Sequence, residues 1–166
     1  MAILTVEKSR FGVSVPVLIV GAGACGCTAA LAAHERGVHT MLLERDAVPR
    51  GSTSLSGGQI PAAGTRLQRE AGIDDTAEIL GDDLVRKAHG QNDAELAHHI
   101  ARESARTVDW LMEVHKVPLT PVTDFLYPGH SRHHMHGTPG RFGAELQKAL
   151  LEAVARAGLD VVTSAR

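Results

Sequence analysis

Residues 21–26 read Gly-Ala-Gly-Ala-Cys-Gly, three glycines at G-x-G-x-x-G spacing directly after an apolar run. Each glycine has a separate task in such a turn. Gly21 allows the tight bend, Gly23 lets the backbone approach a pyrophosphate, and Gly26 lets the following helix pack closely on the strand. The first helical N–H groups, with about half a unit of positive charge from the helix dipole, then face the phosphates. All six residues, Gly21, Ala22, Gly23, Ala24, Cys25 and Gly26, are therefore expected to line a dinucleotide. Glu44 follows 18 positions after Gly26, at the end of a second apolar run. A carboxylate there accepts hydrogen bonds from a ribose diol and repels a 2′-phosphate, which argues against NADP.

The elements that must position these groups can be read from hydrophobic patterning. Val15–Val20 is a continuous apolar run, as in a buried parallel strand, and Pro16 is tolerable near its start. Ala24–Arg36 reads as a helix whose Ala29, Ala30 and Ala33 give a face of small side chains, closed by Gly37. His39–Leu43 is the second strand, so the unit is β–α–β with a right-handed parallel crossover. Beyond it, 49–65 is rich in Gly, Ser, Thr and Pro and reads as a loop. Asp75–His89 is expected to be helical, and Asn92 with Glu95 has the form of a capping box opening a helix to about His115. Leu96, Ile100, Val108, Leu111 and Met112 would mark its apolar side. Residues 117–140 read as irregular chain, Phe142–Ala157 as a helix closed by Gly158, and Leu159–Thr163 as a third strand. The fold class is therefore α/β, with three parallel strands ordered third, second, first. The first strand should carry an exposed edge, an aggregation hazard.

The stretch from Arg50 to Gln59 (RGSTSLSGGQ) bears on which dinucleotide is held. Its hydroxyls and bare backbone lie just beyond the ribose-binding acid. Such a loop can continue along a pyrophosphate and reach the edge of an isoalloxazine ring, where glycines permit close approach. This favours FAD, with an NAD-binding dehydrogenase domain and a non-catalytic fragment as the competing readings.

Bulk properties narrow the classes further. The chain has 166 residues, 43% hydrophobic and 22% charged, with net charge −2. A single soluble domain fits these values, and nothing suggests a nucleic-acid partner. Aromatic content of only 3% argues against a base-stacking platform. No apolar run is long enough for a membrane segment, and residues 1–12 lack a signal-peptide pattern, so a cytoplasmic setting is expected. Cys25 and Cys27 point to different helix faces and cannot readily bridge; both read as small buried thiols.

Several of these segments together resemble a known flavoprotein superfamily. They are Val17–Glu44, the loop GSTSLSGG (51–58), GQNDAEL (90–96) leading to TVDWLM (107–112), and the glycine–histidine segment before the helix over 142–157. The family is that of fumarate reductases, succinate dehydrogenases and 3-ketosteroid dehydrogenases, and the resemblance covers nearly the whole chain in order. The 51–58 loop is closest to the ketosteroid dehydrogenases and the 90–112 stretch to soluble fumarate reductases. The resemblance implies a Rossmann-like three-layer FAD-binding domain with a parallel sheet. Residues 1–166 would be its N-terminal portion, incomplete at the C-terminus, with the substrate-capping domain absent. It implies FAD contacts at Gly21, Gly23, Ala24, Gly26, Glu44, Arg45, Ser52, Thr53, Ser56, Gly57 and Gly58. FAD should be non-covalent, since the flavin-attaching histidine of succinate dehydrogenases is replaced around Gly51. A backbone contact with adenine just after the third strand is expected to be missing. The chemistry implied is hydride transfer between flavin N5 and a CH–CH bond of a small-molecule substrate beside a carbonyl or carboxylate. No residue matches the family's proton donor, so no catalytic residue is named, the electron partner is left open, and the chain alone is expected to be inactive.

Other chemistry-bearing groups are given structural roles. His130, His133, His134 and His136 lack helical or cysteine-paired ligand spacing, so no metal site is assigned; a solvated loop, or a place on the flavin side as the resemblance implies, are the readings. His98 and His99 are read as structural. Ser52, Thr53 and Ser56 lack the G-x-S-x-G context of a nucleophile. Asp74, Asp75, Asp82 and Asp83 read as helix-start and surface carboxylates without calcium-loop spacing.

Overall fold

The computed structural model describes residues 11–165; the expectation of no signal peptide rests mostly on residues 1–10, outside that range. Twelve elements follow in order: β1 (Val17–Val20), α1 (Ala24–His34), β2 (Thr40–Leu43), α2 (Gly51–Leu55), β3 (Gln59–Pro61), α3 (Arg66–Glu70), α4 (Ala77–Lys87), α5 (Ala94–Glu113), β4 (Thr120–Pro121), β5 (Met135–Gly137), α6 (Gly143–Arg156) and β6 (Asp160–Val162).

β1, β2 and β6 form a parallel sheet in the order β1-β2-β6, as the sequence predicts. Val17 pairs with Thr40 and Val20 with Leu43; Met41 pairs with Asp160 and Leu43 with Val162. The ladder runs on past the strand ends, since Gly21 N donates to Leu43 O at 2.7 Å and Glu44 N to Val162 O at 2.8 Å. These bonds place the glycine turn and Glu44 side by side at the carboxyl edge of the sheet, where open α/β sheets bind ligands. Among the described residues β1 is paired on one side alone. Its Val20 is 84% exposed, as the unpaired-edge reading expects.

α1 and α6 pack together over this sheet. The buried face of α1 is Gly26, Cys27, Ala30 and Leu31. Ala29 is exposed and Ala33 only half-buried, which corrects the expected alanine face. The reason is that Gly26 sets the contact line, and the helical period then brings in Ala30 rather than Ala29. α6 buries Leu146, Leu150 and Val154 at i, i+4, i+8, together with Gly143, Gln147, Ala149 and Ala153. Gly37 (φ +71°) and Gly158 (φ +68°) close the two helices in the left-handed conformation.

The two stretches read as irregular chain hold a second sheet. β3 lies within 49–65, and β4 and β5 within 117–140; they pair antiparallel in the order β3-β5-β4. The same 49–65 stretch contains the short helix α2. Strands of two or three residues carry too little alternation to be seen in a sequence, and long-range pairing rather than local propensity makes them. α3 is a further short helix, opened by a complete capping box between Thr65 and Gln68. On α5 the cap is Asp93, whose side chain accepts from Leu96 N, not Asn92. Its buried residues are Ala97, Ala101, Ser104, Val108 and Leu111, whereas Leu96 and Ile100 are more than half exposed. The small residues face inward because α4 packs against that end of α5, with Leu80 and Ala101 in one small core.

Candidate functional site: a dinucleotide cradle at the sheet edge

Gly21 takes φ +100°, open only to glycine without strain, and turns the chain from β1 into α1. At Gly26 a Cβ would lie 1.9 Å from Gly21 O and 3.3 Å from Ile19 Cγ2, so helix and strand are in backbone contact there. Gly23 is the N-cap of α1 and has no side chain to offer its N–H groups. Thr53 supplies the missing acceptor: its Oγ1 receives Ala24 N at 3.0 Å, and a Cβ on Gly23 would meet the same oxygen at 3.4 Å. The hydroxyl loop is thereby seated directly on the helix N-terminus.

Glu44 closes the other side. Its Oε2 accepts from Ala22 N at 3.0 Å and its Oε1 from Asp46 N at 2.9 Å. Those backbone donors, Asp46 N–H first and then Ala22 N–H, hold the carboxyl below the usual range, so it is ionised at neutral pH. A cleft of roughly 400 Å³ opens beside it, lined by Val20, Gly21, Leu43, Glu44, Arg45, Asp46, Gly51 and Ala165. Arg45 stands at the rim, exposed and paired with Asp46 at 3.2 Å. The segment after β6 reaches this cleft: Ser164 N donates to Asp46 O at 3.1 Å and Ala165 N to Glu44 O at 2.9 Å.

The rest of the hydroxyl loop is pinned to α6. Ser56 Oγ donates to Thr53 O at 2.7 Å and accepts from Gly58 N at 3.1 Å. Gly143 N donates to Ser56 O at 2.8 Å. A Cβ on Gly143 would sit 1.9 Å from Thr53 O, and one on Gly58 (φ +61°) 2.6 Å from Phe142 O. The structure thus unites Gly21–Gly26, Glu44 and Thr53 by direct bonds, and holds Ser56 and Gly58 one step further along α6. Ser52 and Gly57 are exposed on the same loop.

Cys25 is exposed rather than buried, and Cys27 is the interior thiol; both are free. Burial pushes the Cys27 thiol up to about 11, against a lowering contact from Gln147, so it stays protonated. Gly143 and Gln147 are site residues that sequence reasoning missed. Gln147, 2% exposed, donates from Nε2 to Ala22 O at 2.8 Å and so fixes the turn from the helix behind it. Its polar side chain among apolar α6 positions was the only available signal.

The histidine segment is not a solvated loop. His134 and His136 are fully buried, and so are the Asp75 and Asp83 carboxylates read as surface groups. Asp83 lies one helical turn before Lys87 on the inner side of α4, and Asp75 precedes that helix; both turn toward His134 at 3.0 and 2.6 Å.

The fit to a dinucleotide is chemical as well as geometric. A bare glycine surface at Gly21, with no atom within 4 Å of a Cβ position, and the ionised Glu44 carboxylate meet at one cleft, and the N-terminus of α1 follows directly from it. Comparison with known proteins agrees. The FAD binding domain family matches residues 16–166, and the chain belongs to it. A probable fumarate reductase of Shewanella frigidimarina is 30% identical over 154 residues, covering 90% of this chain and 25% of its own. A solved structure of a flavocytochrome c3 fumarate reductase in its open conformation superposes with TM-score 0.82 at 30% identity, over 90% of this chain and 26% of that one. A 3-ketosteroid-delta4-(5alpha)-dehydrogenase from Rhodococcus jostii shares the fold at TM-score 0.78 and 22% identity, over 96% and 39%. The chain spans about a quarter of the length of that fumarate reductase. FAD is therefore the cofactor of this chain.

Proposed function

From membership of the FAD binding domain family, we propose that this chain is the FAD-holding N-terminal portion of an oxidoreductase acting on CH–CH bonds beside a carbonyl or carboxylate. The observation that carries the reading is the paired closure of the glycine turn, with Glu44 on Ala22 N and Thr53 Oγ1 on Ala24 N. Bound FAD would supply the redox step, hydride exchange at its N5. The chain's own residues bind and orient. Glu44 accepts from the adenosine ribose, with Arg45 and Ala165 walling that cleft. The turn Gly21-Ala22-Gly23-Ala24-Cys25-Gly26 and the helix dipole of α1 meet the pyrophosphate. Ser52, Thr53, Ser56, Gly57 and Gly58 carry the flavin half, non-covalently.

Relatives described as fumarate, urocanate and digoxin reductases act on small molecules, and a substrate of that size fits this reading. A cytoplasmic setting suits two free thiols; among the described residues no helix is long and apolar enough to cross a membrane. Because no proton donor is identified on these residues, the chain alone should turn over neither fumarate nor a 3-ketosteroid when supplied with electron mediators.

The test is a visible absorption spectrum of the purified chain before and after FAD addition, followed by gel filtration. A flavin band that travels with the protein supports the reading. Retention of NADH instead, with no flavin band, would replace it with an NAD-binding domain, and retention of neither would leave a fragment that holds no cofactor.

A further inference from the structure

His134 is fully buried just before β5, and both of its ring nitrogens face carboxylates. Nδ1 lies 2.6 Å from Asp75 Oδ2, and Nε2 lies 3.0 Å from Asp83 Oδ2. An ionised carboxylate offers acceptors alone, while a neutral imidazole has one N–H and one lone pair. The same oxygens already receive other donors. Gln68 Nε2 donates to Asp75 Oδ2 at 2.7 Å, Ser131 N donates to Asp83 Oδ2 at 2.5 Å, and Arg86 pairs with Asp83 Oδ1. Asp83 is thus engaged as an acceptor at both oxygens and Asp75 at Oδ2, with its Oδ1 buried and unpartnered among the described residues, and only a doubly protonated ring gives each carboxylate an N–H.

We propose that His134 is a buried imidazolium that clamps the Asp75–Lys87 segment to the second sheet, and that alkaline pH releases the clamp. The charges that face it come from every side. Asp83 and Arg86 stand on α4 and Asp75 before it. His130 lies on the preceding loop with its ring centroid 5.0 Å away, Arg132 donates to Asp74 O, and His136 follows on β5. Two buried carboxylates are balanced by the imidazolium and by the Arg86 guanidinium, which is more than half exposed; removing the ring proton leaves the buried carboxylates with no buried cation, which is unfavourable.

The contacts close into a ring that joins β5, α3 and the segment leading into α4. His136 Nδ1 meets His134 O at 3.0 Å and its Nε2 meets Thr65 Oγ1 at 2.8 Å. Thr65 N donates to Gln68 Oε1 at 3.0 Å in the cap of α3, and Gln68 returns to Asp75. β5 pairs with β3, which follows Gly57–Gly58 directly. Loss of the imidazolium therefore loosens α3 and α4 from the strand that extends the hydroxyl loop.

The protonation energetics have the same sense. Burial pushes the ring toward its neutral form, but the hydrogen bonds to Asp75 and Asp83 outweigh it and raise the pKa above the ordinary value. His130, without a carboxylate contact, is lowered by burial. A raised folded pKa means the contribution is complete below the unfolded value near 6.5, and is lost as pH rises through the folded one.

The experiment uses the full chain labelled with ¹⁵N-histidine, together with thermal midpoints from about pH 6 to about pH 10. Both His134 nitrogens should carry slowly exchanging protons at about pH 7.5, well above the ordinary titration point. The wild-type midpoint should fall by several degrees across the alkaline range, H134Q should start lower and lack that fall, and H130Q should follow wild type. A neutral His134 ring at about pH 7.5, or parallel alkaline curves for wild type and H134Q, would overturn the proposal. If H134Q fails to fold, the wild-type ring signals decide alone.

Discussion

Gly26→Ala is the sharpest probe of the cradle, because one methyl group meets backbone and not a movable side chain. The added Cβ would stand 1.9 Å from Gly21 O, 3.1 Å from Gly21 C and 3.3 Å from Ile19 Cγ2. Ordinary carbon–oxygen contact needs α1 to retreat by more than about 1 Å, and overpacking of this kind costs about 1–3 kcal/mol. A retreat of that size stretches Ala24 N–Thr53 Oγ1 and Ala22 N–Glu44 Oε2, both now 3.0 Å, beyond hydrogen-bond range. Each lost bond adds about 0.5–1.5 kcal/mol. Alanine returns about 1 kcal/mol of helix propensity. The net loss is about 1–5 kcal/mol, a drop of roughly 2–20 °C in melting temperature for a chain of this size. FAD affinity, read by quenching of flavin fluorescence, should fall with it, since these two bonds hold the turn that is proposed to meet the pyrophosphate. Gly12→Ala is the control: no atom lies within 4 Å of its Cβ position. An unchanged melting temperature and an unchanged FAD affinity in G26A would refute the close-packed turn and its link to the cofactor.

Thr53→Val keeps the shape of the side chain and deletes the acceptor for Ala24 N; loss of such a cap costs about 1 kcal/mol, measurable by urea unfolding, with Thr53→Ser retaining most of it. Leu150→Ala opens a void where a side chain 1% exposed now fills the α6 core and should cost about 2–5 kcal/mol without altering the alkaline behaviour of His134. Asp83 is pushed up by burial, but Ser131 N–H, His134 and Arg86 together bring its carboxyl down to about 2. Its folded pKa is depressed, so it contributes stability above about pH 4 that is lost as pH falls toward 2, about 2 kcal/mol in all. D83N should lack that acid-side loss in thermal scans from about pH 6 to about pH 2, and an acid-side loss equal to wild type would count against the network.

The parallel sheet was legible because its strands are short, mostly apolar runs and its helices have clear stops. VLIV, TMLL and the Leu159–Thr163 run need no partner to be recognised, and Gly37 and Gly158 mark helix ends by conformational freedom alone. The second sheet was not legible. Gln59–Pro61 and Met135–Gly137 are three residues each and share no pattern; their pairing is made by the chain between them. α5 shows the opposite error. Its large residues Leu96 and Ile100 suggested the core, yet Ala97 and Ala101 occupy it, because α4 packs against the side of the helix that carries the small residues. Size and hydrophobicity predict burial only when the spacing of the neighbouring element is known.

The same distinction runs through the site. Gly21, Gly26 and Glu44 were readable because their tasks are local: a turn, a close approach and a strand end. Thr53 was placed on the cofactor by resemblance, but its bond to Ala24 N, 29 positions away, needs the fold. Gly143 is a further case. In the sequence it opens a helix, where glycine is unremarkable; in the structure it is the one residue type that can pass within 1.9 Å, at its Cβ position, of Thr53 O. The histidine segment shows what composition hides. Four histidines among glycines and prolines look solvated, yet Asp75 and Asp83, 59 and 51 positions away from His134, make burial of its charge tolerable. Charge at a buried position is fixed by partners that only tertiary structure supplies, so a sequence shows the ionisable groups but not which of them neutralise one another.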